Sequence, residues 1–258
     1  MNTVNERFLR LYAAALNSGG CETTLQELID SLDLSEAGLV LEQIEEVRKQ
    51  LVSLKLELTP ALTSGDLDSY RILRSPQRVV DLAGVETEIG EGEGPHREFK
   101  STLFYDIKRA EAVPNTPIEQ LKSQKVLHST LKTIAAFLTC GGGLLFLGVD
   151  DSGVSCGIER DFQLIKNGNS DTWESELRSN IEGKFQDGKA INDYVGLTCL
   201  KQDQGTFVRI EVQARRKLSF VRGDDGEFLL YRRQGNRSVV VAINEIEEFL
   251  EFRSSKGW

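Results

Sequence analysis

The feature of this sequence that most constrains its fold is a helical pattern that stops at three consecutive glycines and leads directly into an apolar strand. Residues 118–138 carry apolar side chains at helical spacing, and residues 144–149 are typical of a buried strand. Glycine is the residue that most readily ends a helix, so we expect Gly141, Gly142 and Gly143 to cap it. The sequence contains no Gly-x-x-x-x-Gly-Lys-Ser/Thr, and the glycines end a helix instead of opening one. We therefore expect no ATP site.

The elements around this unit predict an α+β fold. Asp150-Asp151-Ser152-Gly153 is a hairpin turn that leads into a strand over residues 154–158. Further patterns predict a helix over 173–185, strands over 195–201, 207–214 and 227–232, and a closing amphipathic helix over 243–253. Helices packed against a largely antiparallel sheet are typical of the α+β class and not of a doubly wound sheet.

The N-terminal region, residues 1–75, predicts a small separate module. Helices are expected over 5–18, after an N-cap at Thr24, and over 35–54, followed by two short strands. Three helices and a hairpin are the order of a winged helix, and also of many packing or dimerisation modules. The third helix is rich in glutamate, which is poor chemistry for entering a groove lined with phosphates, so packing or dimerisation is favoured. Residues 76–94 are predicted to form a linker, and residues 95–258 a second domain.

Composition excludes several classes of protein. The 258 residues include 31 Lys and Arg against 40 Asp and Glu, a net charge of −9, which argues against coating nucleic acid through bulk charge. The most apolar run is too short to cross a bilayer, and no secretory signal is visible. Four cysteines without a CxxC and two histidines without ligand spacing predict neither structural zinc nor a disulfide framework. We expect a cytoplasmic protein that does not bind membranes.

Positive charge is concentrated near the C-terminal end. Residues 205–240 contain eight basic and four acidic residues. Neighbouring strands can bring such cations to one phosphate backbone, with Tyr231 or Phe220 available to stack a base. The alternative is a solvated strand end that protects a sheet edge from aggregation. The candidate nucleic-acid-binding residues are Lys100, Arg215, Arg216, Lys217, Tyr231, Arg232, Arg233 and Arg237.

Several ordered motifs carry a family resemblance. They are Glu93, Glu98-Phe99-Lys100, Ala136-Phe137, Gly142-Gly143, Gly148-Val149, Asp151, Gly153, and the Tyr-x-Arg-x-Gly-Asn run from Tyr231 to Asn236. In this order they resemble the AlbA-type domain of the Schlafen family over roughly residues 88–252. Two departures are Thr139-Cys140, where the family usually has Asn-Thr, and an insert over 106–117.

The resemblance implies a nucleic-acid-binding α+β domain. Some Schlafen members are endoribonucleases that use two glutamates and an aspartate with a divalent cation, and the matching residues are Glu93, Glu98 and Asp151. Carboxylate oxygens suit Mg²⁺ or Mn²⁺, so we expect the three side chains to converge on one cleft. Glu93 and Glu98 need a bend between them, which Gly94-Pro95 supplies. The alternative is that Glu98 pairs with a lysine (Lys100 or Lys132) and that the aspartates form an ordinary turn.

Three functions follow as hypotheses. The first is a metal-dependent endoribonuclease acting on structured RNA such as tRNA, the second a non-catalytic DNA- or RNA-binding regulator, and the third a protein-interaction module. RNA is favoured over DNA as the partner.

Longer Schlafen proteins pair two lobes, whereas this chain has one. We therefore expect a homodimer in which both copies of the basic residues line a shared surface, with leucines of residues 39–54 as a candidate contact.

Overall fold

A computed structural model describes residues 6–17, 20–34, 39–60, 67–74, 82–256 and 258. The chain divides into two compact units, Met1–Val79 and Val80–Trp258. The helices are α1 (Glu6–Asn17), α2 (Leu25–Ser31), α3 (Val40–Ser53), α4 (Leu82–Gly90), α5 (Ile107–Ala112), α6 (Gln124–Thr139), α7 (Glu159–Phe162), α8 (Ser170–Lys184), α9 (Gly188–Ile191) and α10 (Ile246–Lys256). The strands are β1 (Cys21–Thr24), β2 (Glu57–Thr59), β3 (Tyr70–Arg74), β4 (Arg97–Lys100), β5 (Gly143–Leu147), β6 (Val195–Gln202), β7 (Gly205–Val212), β8 (Phe220–Arg222), β9 (Phe228–Gln234) and β10 (Arg237–Val240). No helix in the described ranges is both long and apolar enough to cross a lipid bilayer.

The N-terminal unit follows the element order of a winged helix. Its elements run α1, β1, α2, α3, β2, β3, and the three strands form an antiparallel sheet in the order β1-β3-β2. The expected N-cap at Thr24 is confirmed, because its hydroxyl accepts from the Glu27 amide at 3.0 Å and the Glu27 carboxylate accepts from the Thr24 amide at 3.1 Å. Leu28 and Val47 are fully buried and hold α2 and α3 together.

The second unit is an α+β domain with two sheets. A four-stranded sheet has the order β4-β5-β7-β6, in which β4 runs parallel to β5 and the other pairs are antiparallel. A three-stranded antiparallel sheet has the order β10-β9-β8. Helix α6 connects the two sheets, since it packs on β9 and ends where β5 begins. The predicted fold class is confirmed.

The glycine run ends α6 as the sequence predicts. Gly141 and Gly142 both have φ of +84°, and the Gly142 amide donates to the carbonyl of Phe137 at 2.9 Å. A Cβ atom on Gly142 would lie 2.7 Å from the carbonyl oxygen of Val212, closer than real contacts allow. The helix begins later than expected, at Gln124, because Ser123 caps it and residues Ile118–Leu121 form a separate 3₁₀ turn.

Two expectations about local structure are wrong. Residues 82–90, placed in the predicted linker, form α4, whose Val85 is fully buried against Phe99 and Phe146. The start of that segment, residues 76–81, lies outside the described residues. Residues 154–158 form no strand, because pairing after the turn is limited to one bridge between Val149 and Ser155.

A buried carboxylate anchors the loop that follows β4. Asp161 has no exposed surface, and its oxygens accept from the amides of residues 103–105 at 2.8–2.9 Å and from the indole of Trp173 at 3.3 Å. Burial raises the pKa of Asp161, and these four N–H groups oppose that rise. The Asp161 carboxylate thereby links the loop over residues 103–105 to Trp173, which lies near the start of α8.

We expect Asp161→Asn to lower the free energy of unfolding by about 3 kcal/mol. The amide nitrogen would face two N–H donors that now share one carboxylate oxygen, leaving them without an acceptor. Urea denaturation followed by tryptophan fluorescence measures the change. Asp203→Asn, at an exposed position, is the control and should leave the midpoint unchanged. An equal midpoint for both variants would contradict the anchoring role.

Candidate functional site

A tight bend between Glu93 and Glu98 brings the first motif into position. Gly94 and Arg97 form an antiparallel bridge, with the Gly94 amide donating to the Arg97 carbonyl at 2.9 Å and the reverse bond at 3.3 Å. The predicted bend at Gly94-Pro95 is confirmed. Just beyond it, β4 forms one edge of the four-stranded sheet.

The side chain of Arg233 closes over this bend from the other sheet. Its guanidinium donates to the carbonyls of Gly94 at 2.7 Å and Pro95 at 3.3 Å, and to the hydroxyl of Ser238 at 3.1 Å. It also lies 4.9 Å from the centre of the Phe137 ring on α6. Only 3% of the Arg233 side chain is exposed. We call this arrangement the Arg233 clasp.

Both motif glutamates have partners within this arrangement. Glu98 pairs with Arg233 at 3.0 Å through one oxygen and with Lys100 at 2.8 Å through the other. The alternative of pairing with Lys100 is thus the one observed. Glu93 accepts from the backbone amide of Phe99 at 2.9 Å. Glu93 and Glu98 therefore hold the bend and the edge strand in place.

The turn that contains Asp151 lies on the opposite face of β4 from Glu98. A Cβ atom on Gly153 would lie 3.8 Å from the Phe99 ring, and side chains of adjacent strand residues point to opposite faces. The neighbouring Asp150 organises the turn by accepting from the Ser152 hydroxyl at 2.7 Å and from the Val154 amide at 2.9 Å, and these bonds lower the pKa of Asp150. The Asp151 side chain is exposed.

Glu93, Glu98 and Asp151 do not fit a divalent cation in this arrangement. Both oxygens of Glu98 are bound to cationic side chains, and one oxygen of Glu93 is bound to a backbone amide. In the ranges that the structure describes, no group of three or more His, Cys, Asp and Glu side chains is placed to hold a metal ion. A cation at Glu98 would have to compete with Lys100 or Arg233, because each oxygen of this carboxylate already has a cationic partner.

Side chains along β9 alternate between the two faces of the smaller sheet, and this alternation determines which candidate residues face solvent. Tyr231 and Arg233 point toward α6, and the Tyr231 hydroxyl lies 3.2 Å from Nε2 of His128. Tyr231 is 5% exposed, so its ring is covered and is not available to stack a base in this arrangement. Arg232 points the other way and pairs with Glu245 at 3.3 Å.

Arg215 and Lys217 share one carboxylate near the end of α8. Asp187 pairs with Arg215 at 2.6 Å and with Lys217 at 3.1 Å. Burial raises the pKa of Asp187, but the two cations outweigh it and lower the pKa overall. Arg215 is 6% exposed and acts as an anchor, whereas the side chain of Lys217 is 66% exposed.

The exposed cations follow the edge of the smaller sheet. The end of α8 lies along β8, because Phe185 forms a bridge with Val221 and the Gln186 amide donates to the Phe220 carbonyl at 3.1 Å. We define the basic strip as the cations that this contact brings together, the half-buried Lys184 and the exposed Lys189, Lys217 and Arg222. Arg216, which precedes Lys217 in the sequence, is also exposed, and so is Arg237 at the start of β10.

Sequence reasoning missed Lys184 and Lys189 as candidates. They precede the basic segment of residues 205–240 in sequence and reach it through the bridge between Phe185 and Val221. A long-range β-bridge of two residues leaves no periodic signal in the sequence. Arg222 lies within the basic segment, but the short strand β8 that presents it was not predicted either.

The second unit is thus an α+β domain with two sheets joined by α6 and a cationic edge. A family model described as Schlafen, AlbA_2 matches residues 93–242, more than half of the chain. The chain therefore belongs to the Schlafen family and carries its AlbA-type domain, as the motifs predicted.

Among solved structures, the DIP2311 protein from Corynebacterium diphtheriae is similar to this chain at 16% identity, with a TM-score of 0.43. The match covers 67% of this chain and 28% of that one. This chain thus spans less than a third of the length of that structure. No curated protein is a match for the chain.

We expect Glu98→Gln to lower the free energy of unfolding by about 3 kcal/mol, because it leaves the buried Arg233 without its counter-charge. Glu91→Gln is the matched control: Glu91 also pairs with an arginine, Arg97, but its side chain is 62% exposed. That variant should lose less than about 1 kcal/mol. Urea denaturation of both measures the difference, and equal losses would contradict the Arg233 clasp.

Proposed function

We propose that the AlbA-type domain binds nucleic acid along the basic strip and at the exposed Arg237, with RNA as the favoured partner. The observation that carries this proposal is the set of exposed cations at the sheet edge of a chain whose net charge is −9. A local cationic surface attracts phosphates even when the whole protein repels them.

The spacing of the exposed cations favours a polymeric partner. In the strand register, Arg222 lies opposite Phe228 at one end of β9, and Arg237 lies opposite Gln234 at the other end. At roughly 3.3 Å per strand residue, these two ends are about 20 Å apart. A small anion cannot contact both ends, whereas the backbone of a nucleic acid can contact each with a different phosphate.

The buried residues have a supporting role in this proposal. Arg215 positions Asp187, which in turn holds the exposed Lys217. Arg233 holds the bend before β4 and is covered. Lys100 remains a candidate contact only if it leaves Glu98, to which it is bound at 2.8 Å.

We expect Lys217→Gln, Arg222→Gln and Arg237→Gln combined to weaken RNA binding at least tenfold. Each lost phosphate contact should also reduce the slope of log affinity against log salt by about 0.7–0.9. Fluorescence anisotropy with labelled tRNA and with duplex DNA, at several salt concentrations, measures both quantities and compares the two partners.

The matched control removes the same charge from another surface of the domain. Lys108→Gln, Arg109→Gln and Lys166→Gln combined change three exposed cations on α5 and before α8. This variant should keep the wild-type slope. Equal loss in both triple variants would mean that net charge, and not the position of these cations, governs binding.

The second candidate function is metal-dependent cleavage of RNA. Glu93, Glu98 and Asp151 occur in the order of the family motif, within the matched residues 93–242. Their present partners favour binding without cleavage, because a metal ion at Glu98 would compete with two cationic side chains.

We expect wild-type protein, Asp151→Asn and Glu98→Gln to leave total tRNA equally intact in Mn²⁺ or Mg²⁺. Denaturing gels resolve the products, and anisotropy on the same samples confirms that RNA is bound. Asp151 is exposed, so its variant should fold normally. Cleavage by the wild type that Asp151→Asn abolishes would make the protein an endoribonuclease and overturn binding as its whole function.

The homodimer stays a prediction. The α3 region offers a candidate contact, because Leu39, Leu41 and Val52 are 73%, 67% and 77% exposed. Leu51 is buried inside the N-terminal unit and is not part of that surface. The same exposed side chains would also suit the protein-interaction alternative.

A further inference from the structure

A second polar site lies between α6 and the β8–β9 hairpin. The first two turns of α6, the last residue of α8 and the hairpin enclose a cavity of about 200 Å³. Its polar lining consists of Gln124, His128, Lys184, Arg222 and Asp224, and two buried leucines of α6 form its base. The volume is below the roughly 300–1,000 Å³ of sites for drug-sized ligands, so it suits one small polar group.

The charges around the cavity favour an anion. In the part of the chain that the structure describes, neither Lys184 nor Arg222 has a carboxylate within ion-pair distance, and the Arg222 guanidinium lies 5.1 Å from the centre of the Phe228 ring. Asp224 is the single acidic residue in the lining and is exposed. Two cations and one carboxylate leave the cavity with a net positive charge even when His128 is neutral.

The imidazole of His128 is a further hydrogen-bonding group in the lining of the cavity. Burial lowers the pKa of His128, Lys132 and Lys184 lower it further, and Asp224 opposes them. Its Nε2 lies 3.2 Å from the Tyr231 hydroxyl, and burial together with Asp224 raises the pKa of Tyr231. A neutral ring that accepts from this hydroxyl carries its proton on Nδ1. The structure shows no other hydrogen-bond partner of the ring among the residues that it describes.

We infer that this cavity binds one tetrahedral oxyanion of the phosphate or sulfate class, held by Lys184, Arg222 and His128. Paired cations and an imidazole donor are the groups that recognise such an anion. The phosphate is either a free ion or a phosphate of a nucleic acid. Only in the second case does the site rest on the proposed function, since Lys184 and Arg222 also belong to the basic strip.

The chain's two histidines make a direct test practicable. Proton–carbon NMR of the imidazole Cε1–H groups gives one signal for His128 and one for His96, which lies outside the cavity and is bound to the Gly142 carbonyl at 2.9 Å. Sulfate is the probe, because its charge is constant between pH 5.5 and 8, and chloride keeps the ionic strength fixed.

We expect sulfate to shift the His128 signal in a saturable manner and to leave His96 unchanged. A bound oxyanion stabilises the imidazolium, so the pKa of His128 should rise by about one unit, and sulfate should bind about tenfold more tightly to the protonated form. Sulfate affinity should therefore increase as the pH falls through the pKa of His128.

Lys184→Gln combined with Arg222→Gln should abolish the shift, whereas Lys108→Gln combined with Arg109→Gln should leave it intact. A His128 signal that does not respond to sulfate would overturn the inference. So would a response that rises without saturation and is equal in both double variants.

Oligonucleotides distinguish the source of the phosphate. A shift of His128 with a 5′-phosphorylated oligonucleotide but not with its dephosphorylated form supports capture of a terminal phosphate, and a shift with both supports a backbone phosphate. A shift with sulfate alone supports a free anion. Anisotropy with the same oligonucleotides reports nucleic-acid binding separately, so failure of the proposed function and failure of the anion site give different results.

Discussion

The buried guanidinium of Arg233 is the interaction on which the geometry of the AlbA-type domain depends. It joins the smaller sheet to the bend before β4, neutralises Glu98 and covers Phe137 of α6. A planar fork with five donors can serve three carbonyls, a hydroxyl and a carboxylate at once, which a lysine cannot do. In this chain, the Tyr-x-Arg run that begins at Tyr231 and the glutamate motif before β4 are thus two halves of one structural contact.

Much of the fold could be predicted because it depends on the properties of residues that are close together in the sequence. The glycine run, the buried strand that follows it, the bend at Gly94-Pro95 and the N-cap at Thr24 each follow from the backbone preferences of the residues involved. The burial of Tyr231 and Arg233 was also within reach, since period-two alternation on β9 separates them from Arg232.

What could not be predicted depends on partners that are distant in sequence. Glu98 and Arg233 are 135 residues apart, and nothing near either residue indicates that one neutralises the other. A cluster of carboxylates in a motif is compatible with a metal site and with structural ion pairs, and only the placement of the cations decides between them. The same holds for the cavity beside His128, whose lining comes from α6, α8 and the β8–β9 hairpin.

The two left-handed glycines after α6 also predict how this chain tolerates sequence change. At Gly142 the backbone has φ of +84° and an added Cβ would meet the Val212 carbonyl at 2.7 Å, so every other amino acid carries both a conformational and a steric penalty. Arg237, exposed at the tip of a hairpin, carries neither. In a saturation library selected only for folding, position 142 should stay glycine while position 237 drifts freely. If selection for activity then limits the amino acids accepted at position 237, that limit reflects contact with the ligand and not a requirement of folding.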